Sequence, residues 1–446
     1  MQVGFGTDGI RGPANEAVTA EVALGVSRAA ARVFGARRLV VGRDTRISGP
    51  MLEAAVLAGA CAEGAEAVAL GVVPTPAVAH ACNTAEGDVV GVMISASHNP
   101  YRDNGLKVFA PGGRKLTDSR QAELSADLDD LLESELHAGP TGADVGCIGS
   151  EEGLVGSYAD SIVGSIDGRD LAGMRVVLDC ANGANWQLGP QVLRSLGAEV
   201  EATGVYPDGV NINDGCGSNH PEGLAAAVSG RGADVGIAFD GDADRVVAVD
   251  HLGRVLDGDQ LMAMLAVDMR DRGRLERDTV VVTVMSNLGF RRAMADAGIA
   301  VFDTAVGDRY VLEAIEQGGF SLGGEQSGHI VLADRGTTGD GLLSAVTVLD
   351  LVRRSGRTLA ELADGAMTRL PQVLVNVPIA APMPDVADRL AERIAEVEQR
   401  LGDSGRVLLR PSGTEPVVRV MAEADTEAIA RSTADELAAA VTALAS

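Results

Sequence analysis

Short apolar runs that end in polar, glycine-bearing loops recur along the chain and set its architecture. Three of them head a repeated unit. Leu39-Val40-Val41 runs into Gly42-Arg43-Asp44-Thr45-Arg46, Val176-Val177-Leu178 into Asp179-Cys180-Ala181-Asn182-Gly183, and Val280-Val281-Val282 into Ser286-Asn287-Leu288-Gly289. An Ala- and Leu-rich stretch of helical period follows each, such as 51–61, and then a short strand that opens on a glycine: Gly64-Ala65-Glu66-Ala67-Val68, Gly197-Ala198-Glu199-Val200 and Gly298-Ile299-Ala300-Val301. Glycine suits the left-handed residue that closes a helix. Strand–loop–helix–strand is the unit of a parallel sheet, and its threefold recurrence predicts three related domains. Each unit then supplies a further strand that runs into a motif: Ser95-Ala96-Ser97-His98-Asn99-Pro100, Asp240-Gly241-Asp242-Ala243-Asp244-Arg245, and Gly323-Gly324-Glu325-Gln326-Ser327-Gly328-His329. Ligands gather at the carboxyl ends of parallel strands, so three such domains can aim three motifs into one cleft.

Beyond Gly365 the pattern changes. Val373-Leu374-Val375-Asn376-Val377-Pro378 reads as a strand, 384–401 as a charged helix, 406–421 as paired strands, and the remainder as an amphipathic helix. A Gly-, Ser- and Glu-rich stretch at 133–150 suggests a linker near 148, and a second break falls near Asp250. The expected fold class is α/β: three related α/β domains with mixed, mostly parallel sheets, plus a smaller α+β C-terminal domain, around a central cleft. The expected domains are 1–148, 149–250, 251–366 and 367–446.

Composition narrows this reading. At 446 residues the chain exceeds one ordinary core. Aromatic content of 3% leaves the cores to Ala, Val, Leu and Ile, which suits parallel α/β layers better than sandwiches. The formal charge of −26 and sequence pI near 4.6 exclude nucleic acid and anionic membrane as partners. Five scattered cysteines with no Cys-x-x-Cys pair suit free thiols in a reducing compartment. No export signal and no bilayer-spanning run is visible, so the expected location is the cytoplasm.

The candidate chemistry centres on Asp240, Asp242 and Asp244. Three carboxylates on one short loop between apolar runs repel one another unless a cation sits among them. With no Cys or His in the cluster, Mg²⁺ is favoured over zinc. An EF-hand is rejected, because its sixth and twelfth positions hold Arg245 and His251. A solvated acidic turn is the plain alternative. Ser97 closes an apolar strand with an extended Asn99 held before Pro100, although a serine turn of no special role reads the same way. Lys107 and Lys115 are the only lysines in an Arg-rich chain. Lys107 on an apolar strand suits acid–base work on a hydroxyl, because an amine can lose a proton where a guanidinium cannot; a lysine snorkelling from an edge strand is the alternative. Arg410-Pro411-Ser412-Gly413-Thr414-Glu415-Pro416 offers a guanidinium, two hydroxyls and a glycine to a phosphate, with Arg419 as a further donor. Glu325 and Ser327 can read sugar hydroxyls, and Arg11, in Gly6-Thr7-Asp8-Gly9-Ile10-Arg11-Gly12, is a cation placed to meet an anion.

Taken in order, these segments, with 211–218 and Val306-Gly307-Asp308-Arg309-Tyr310, resemble the α-D-phosphohexomutase superfamily, most closely its bacterial-type phosphoglucosamine mutases. The resemblance covers essentially the whole chain. It implies that Ser97 carries a phosphoryl group and that Asp240, Asp242 and Asp244 hold one Mg²⁺ per chain together with the Ser97 phosphate. It further implies that Arg11, His98 and Arg245 surround that group, and that Lys107 shuttles a proton. Glu325, Ser327 and His329 would bind the sugar; Arg410, Ser412, Gly413, Thr414 and Arg419 would hold the substrate's other phosphate. The implied reaction interconverts glucosamine 6-phosphate and glucosamine 1-phosphate, with glucosamine 1,6-bisphosphate as intermediate and activator, feeding UDP-N-acetylglucosamine and cell-envelope synthesis. The implied partner is a small hexosamine phosphate, with a homodimer open to it. Rival readings are the same machinery acting on glucose or mannose phosphates, a metal-dependent sugar phosphatase, and a non-catalytic sugar-phosphate sensor.

Overall fold

The computed structural model describes residues 6, 9–133, 138–149, 151, 153–412 and 416–445. By its internal contacts the chain forms two compact units, one of residues 1–285 with 299–365, the other of 286–298 with 366–446.

The first unit contains the threefold repeat as three sheets of one plan. In the first sheet Glu66–Val72, Arg38–Arg43 and Val89–Ile94 lie parallel, and Asp103–Ala110 returns antiparallel to the last of them. In the second, Glu199–Thr203, Arg175–Asp179 and Val235–Phe239 are parallel and Val246–Asp250 returns. In the third, Ala300–Thr304, Thr279–Thr283 and Leu322–Gly324 are parallel and Ile330–Leu332 returns. The strands that feed the motifs are buried along their whole length, as their unbroken apolar and glycine runs require of strands covered on both faces. Gly64, Gly197 and Gly298, each just past a helix, have φ of +83°, +89° and +70°, the left-handed turn that ends a helix.

One consequence decides the site: each motif is the connection between the last parallel strand and its antiparallel return. The loops at 95–102, 240–245 and 325–329 are therefore equivalent positions of three copies of one unit. The first sheet also gains Ile10–Pro13 on the far side of Asp103–Ala110. That pairing makes the Lys107 strand internal and removes the edge-strand alternative. The stretch around 148 is tied down, because Ile148–Gly149 pairs with Glu66–Val72 and Gly146 N donates to the Cys61 carbonyl. Asp250 stands at a hairpin corner: its carboxylate accepts from the Leu252 and Arg254 amides, and Val255–Leu256 adds a strand to the second sheet.

The second unit is a three-stranded antiparallel sheet with Val417–Ala424 in the centre, Gln372–Pro378 on one side and Gly405–Pro411 on the other. Val373, Val377, Val407, Leu409, Val418 and Val420 form its core with Leu437 and Val441 of the helix Glu427–Ala445. The charged helix expected over 384–401 is broken at Leu390 into Val386–Arg389 and Ala391–Leu401. The helix Leu288–Asp296 follows a strand of the third sheet in sequence yet belongs to this unit. Its cap residue Asn287 donates to the Leu370 carbonyl and to the buried Glu423 carboxylate, which also receives Arg406 Nε at 2.6 Å. Among the described residues no helix is long and apolar enough to cross a membrane. The five cysteines are not disulfide-bonded.

Candidate active site

The aspartate loop is a tight turn in which Ala243 N donates back to the Asp240 carbonyl. Ala243 itself sits at φ +57°. Asp240, Asp242 and Asp244 are all buried, and one oxygen from each lies within 4.8 Å of the others. Gly241 is required where it stands, since a Cβ there would come within 2.6 Å of the Ser97 carbonyl oxygen. The loops of the first and second sheets thus meet backbone to backbone.

That approach places Ser97 Oγ as a donor 2.5 Å from Asp240 Oδ2. The arrangement expected from the sequence, a hydroxyl beside an acidic trio, is present in the geometry. Lys107 Nζ donates to Asp242 Oδ2 at 2.7 Å and to Asp244 Oδ2 at 3.2 Å. Thr75 Oγ1 adds a second donor to Asp242 Oδ2 at 2.6 Å. An ammonium that donates to two carboxylates has no lone pair with which to take a proton. In this geometry Lys107 is first a counter-ion, and any shuttle role begins with donation rather than abstraction.

The remaining donors converge from the first and second domains. Arg245 Nη1 lies 2.9 Å from His98 Nδ1, and because a guanidinium only donates, Nδ1 is the acceptor and the imidazole proton sits on Nε2. Burial first, then the positive charges of Arg245 and Arg11, holds His98 down to about 4, so the ring is neutral at physiological pH. Arg245 N also donates to Asp240 Oδ1 at 3.2 Å. Glu325 lies near enough to raise the Arg245 pKa, and its Oε1 accepts from Gly307 N. The 325–329 loop is anchored to the aspartate-loop hairpin through Val246 N, which donates to the Gly328 carbonyl at 3.0 Å.

A cation fits this site. Asp242 Oδ1 is buried with no hydrogen-bond partner among the described residues. Burial, followed by the charges of Asp244 and Asp242, pushes Asp240 well above the ordinary carboxylate range. Three desolvated carboxylates against one buried ammonium and one partly buried guanidinium leave negative charge that only a cation or a proton can offset. All candidate ligands are hard oxygens, which suits Mg²⁺ among the common divalent ions.

Other sites expected from sequence are placed as follows. Ser327 is exposed at the tip of its loop. His329 is buried, its ring packed against Gly339 and its Nε2 3.6 Å from Asp308 Oδ2. Lys115 pairs with that same Asp308, so both lysines of the chain bridge the first sheet's domain to carboxylates of another. In the second unit Arg410 and Arg419 stand directly opposite each other across the ladder. Like charges so placed destabilise a sheet unless an anion lies between them. Ser412 N closes the adjoining loop on the Val417 carbonyl, while Gly413 and Thr414 lie outside the described residues.

Three residues of the site were not singled out from sequence: Thr75, Arg46 and Asn213. Arg46 and Asn213 both donate to carbonyls of the Ser97 loop. The polar run 42–46 and the segment 211–218 were visible, yet nothing in either showed what its side chains reach.

Four family models span most of the chain: "Phosphoglucomutase/phosphomannomutase, alpha/beta/alpha domain I" over residues 2–134, domain II over 157–253, domain III over 257–370, and the C-terminal domain over 374–440. The chain belongs to the phosphoglucomutase/phosphomannomutase family. It is 53% identical over 450 residues to the phosphoglucosamine mutase of Frankia alni, covering 98% of this chain and 97% of that one. Among solved structures it resembles a phosphoglucomutase/phosphomannomutase family protein from Burkholderia thailandensis, with a TM-score of 0.80 at 24% identity over 98% and 97% of the two chains. It also resembles Aspergillus fumigatus N-acetylphosphoglucosamine mutase, crystallised with GlcNAc-6P and magnesium, with a TM-score of 0.69 at 18% identity over 99% and 96%.

Proposed function

We propose that this chain is a phosphohexomutase that interconverts glucosamine 6-phosphate and glucosamine 1-phosphate through a phosphorylated Ser97. The observation that carries the reading is the 2.5 Å approach of the Ser97 hydroxyl to a buried, under-neutralised aspartate trio on the equivalent loop of the next domain. The choice of an amino sugar rests on the 53% identity to a phosphoglucosamine mutase. Free thiols and the acidic surface suit action in the cytoplasm on a small anionic substrate.

Asp240, Asp242 and Asp244 would hold one Mg²⁺ beside Ser97, which would screen the charge of the transferring phosphoryl group. The chain's own residues do the rest. Arg245 and Arg11 bring positive charge to the same oxygens, which is most of what phosphoryl transfer asks of a protein. Neutral His98 fixes the Arg245 guanidinium through Nδ1 and keeps an Nε2–H donor for the phosphoryl group. Phospho-Ser97 gives its group to the free sugar hydroxyl: the Ser97 Oγ–P bond breaks, a sugar O–P bond forms, and the proton count closes when Ser97 Oγ, the leaving group, is protonated by a donor such as Lys107, which the sugar hydroxyl's proton then replenishes. Glucosamine 1,6-bisphosphate results, and its other phosphate returns to Ser97 after the sugar turns. Lys107 lies against the trio as the proton-carrying cation. Glu325 and Ser327 offer acceptors to the sugar, while buried His329 supports their loop. Arg410 and Arg419, with Ser412, Gly413 and Thr414, supply the cradle for the phosphate that is not reacting.

The test is peptide mass mapping of the purified protein with rates on glucosamine, glucose and mannose phosphates. The expected result is phosphate on Ser97 and the highest kcat/KM on glucosamine phosphates. Ser97→Ala is expected to lose at least about 10⁴-fold in kcat, as loss of a covalent carrier does. Full turnover by that variant would end the proposal, and preference for mannose phosphate would end the amino-sugar assignment.

A further inference from the structure

Ser97 holds its hydroxyl against Asp240 from a left-handed backbone, φ +53°. A non-glycine residue adopts that conformation only at a cost, so the surroundings must impose it. Two side chains from different domains do so. Arg46 is fully buried on the loop after Arg38–Arg43. Its Nε binds Asp44 Oδ2 at 2.8 Å, which orients the guanidinium. Its other nitrogens are spent on carbonyls of one short segment: Nη2 on Ser97 at 2.9 Å and Asn99 at 2.8 Å, Nη1 on Asp103 at 2.9 Å and on Pro100. Asn213, from the second domain, places Nδ2 on two of the same carbonyls, Ser97 at 2.9 Å and Asn99 at 3.2 Å. Asn213 is itself left-handed at φ +59° and is fixed by its amide, which donates to the Ala181 carbonyl.

We propose that Arg46 and Asn213 form a carbonyl clamp that positions Ser97 for phosphoryl transfer, with neither residue touching substrate. Each of the Ser97 and Asn99 carbonyls receives one donor from each side chain. The clamp draws these carbonyl dipoles away from the place where phosphate oxygens must sit and turns the Ser97 side chain toward Asp240. A planar five-donor fork is needed to span four carbonyls and a carboxylate, which a lysine cannot do. Asn213 makes the loop's geometry depend on the second domain, so the hydroxyl and the aspartate trio are placed by one shared contact. The inference rests on Ser97 being the phosphoryl carrier.

The decisive variant is Asn213→Gly, which removes the amide while keeping the left-handed backbone unstrained. Arg46→Lys is its companion, keeping a cation opposite Asp44. The measurements are kcat and KM for glucosamine 1-phosphate, the phosphate occupancy of Ser97 after incubation with glucose 1,6-bisphosphate, and the thermal midpoint. Asn213→Gly is expected to lower kcat about 10- to 100-fold, the range typical of a residue that orients a reacting group. KM should stay within about threefold and the midpoint close to the parent's, with slower loading of Ser97; a residue that only stabilised the fold would not give this split. Arg46→Lys is expected to lose more kcat in the same pattern, and should it fail to fold, Asn213→Gly decides alone. An unchanged kcat in Asn213→Gly, or an effect on KM alone, overturns the clamp provided Ser97→Ala is inactive. Turnover by Ser97→Ala instead overturns the carrier reading itself, so the two failures are told apart.

Discussion

Two sets of buried carboxylates, Asp44 on one hand and Asp240, Asp242 and Asp244 on the other, are met differently by their surroundings. Asp44 is fully buried, and its oxygens receive Arg46 N, Arg46 Nε and Ser95 Oγ. Burial still leaves its pKa raised, but Arg46 and the hydrogen bonds all pull it back down and no like charge adds to the rise. At Asp240 burial is reinforced by two like charges, and Arg245 with Ser97 cannot offset them. One site is a closed network that needs nothing further. The other is assembled with negative charge left over, and that excess favours a cation. A satisfied buried charge builds the loop, and on the proposed function an unsatisfied one serves the chemistry.

The sharpest break of that comparison is to neutralise one carboxylate at each site. Asp242→Asn is expected to cut kcat by at least about 10³-fold, some 4 kcal/mol in transition-state stabilisation. The metal-free variant should stay within about 1 kcal/mol of the parent in stability, because removing one like charge offsets the weakened Lys107 contact. Thermal midpoints with and without Mg²⁺ read the rest. Mg²⁺ at a hundred times its Kd should stabilise the parent by about 2.7 kcal/mol, with no comparable rise in the variant. A variant that keeps its Mg²⁺ response would show that the trio is not the metal site.

Asp44→Asn should behave in the reverse way. It leaves the Arg46 charge buried and unpaired, which costs about 3–5 kcal/mol where a buried pair loses one partner. The midpoint should fall steeply while Mg²⁺ still raises it. Loss of the metal response without loss of stability would erase the distinction between the two sites.

How much of this was legible in the chain follows from sequence distance. The repeat was legible because alternation of apolar runs and glycine-bearing loops is local, and the aspartates were legible because they occupy one turn. The pairing of Ser97 with them followed from the repeat plan, since strands that end equivalently deliver their loops to equivalent places. Partners far apart in the chain were not legible. Asn213 reaches Ser97 across 116 residues and Thr75 reaches Asp242 across 167, and no local pattern marks either. The edge-strand alternative for Lys107 stood open only because Ile10–Pro13, which covers its strand, comes from the far end of the domain. The break at Leu390 was hidden because the residues on both sides have helical composition. Its own backbone, φ −107° and ψ 14°, departs from the helix there.

A third buried carboxylate tests the comparison more gently. Asp340 caps the helix Gly341–Ser355 by accepting from Leu343 N, and the buried Tyr158 hydroxyl lies 3.0 Å from both of its oxygens. Its donors are neutral, so it falls between Asp44 and the trio: burial pushes it up to about 6, and the Leu343 amide and Tyr158 hydroxyl pull the other way. A folded-state pKa above the ordinary 3.8 means that Asp340 favours the folded state when protonated. Its contribution is fully present at low pH and is lost as pH rises through 3.8 toward 6. Tyr158→Phe removes a donor to the ionised form and so extends that loss to higher pH. The variant should match the parent near pH 5 and fall behind by about 1.5 kcal/mol near pH 8, the scale of a hydrogen bond to a charged group. Thermal midpoints of both proteins measured across that range give the difference directly. A penalty that is the same at both ends would mean that the hydroxyl acts through packing alone, and that Asp340 belongs with the closed network of Asp44 rather than between the two extremes.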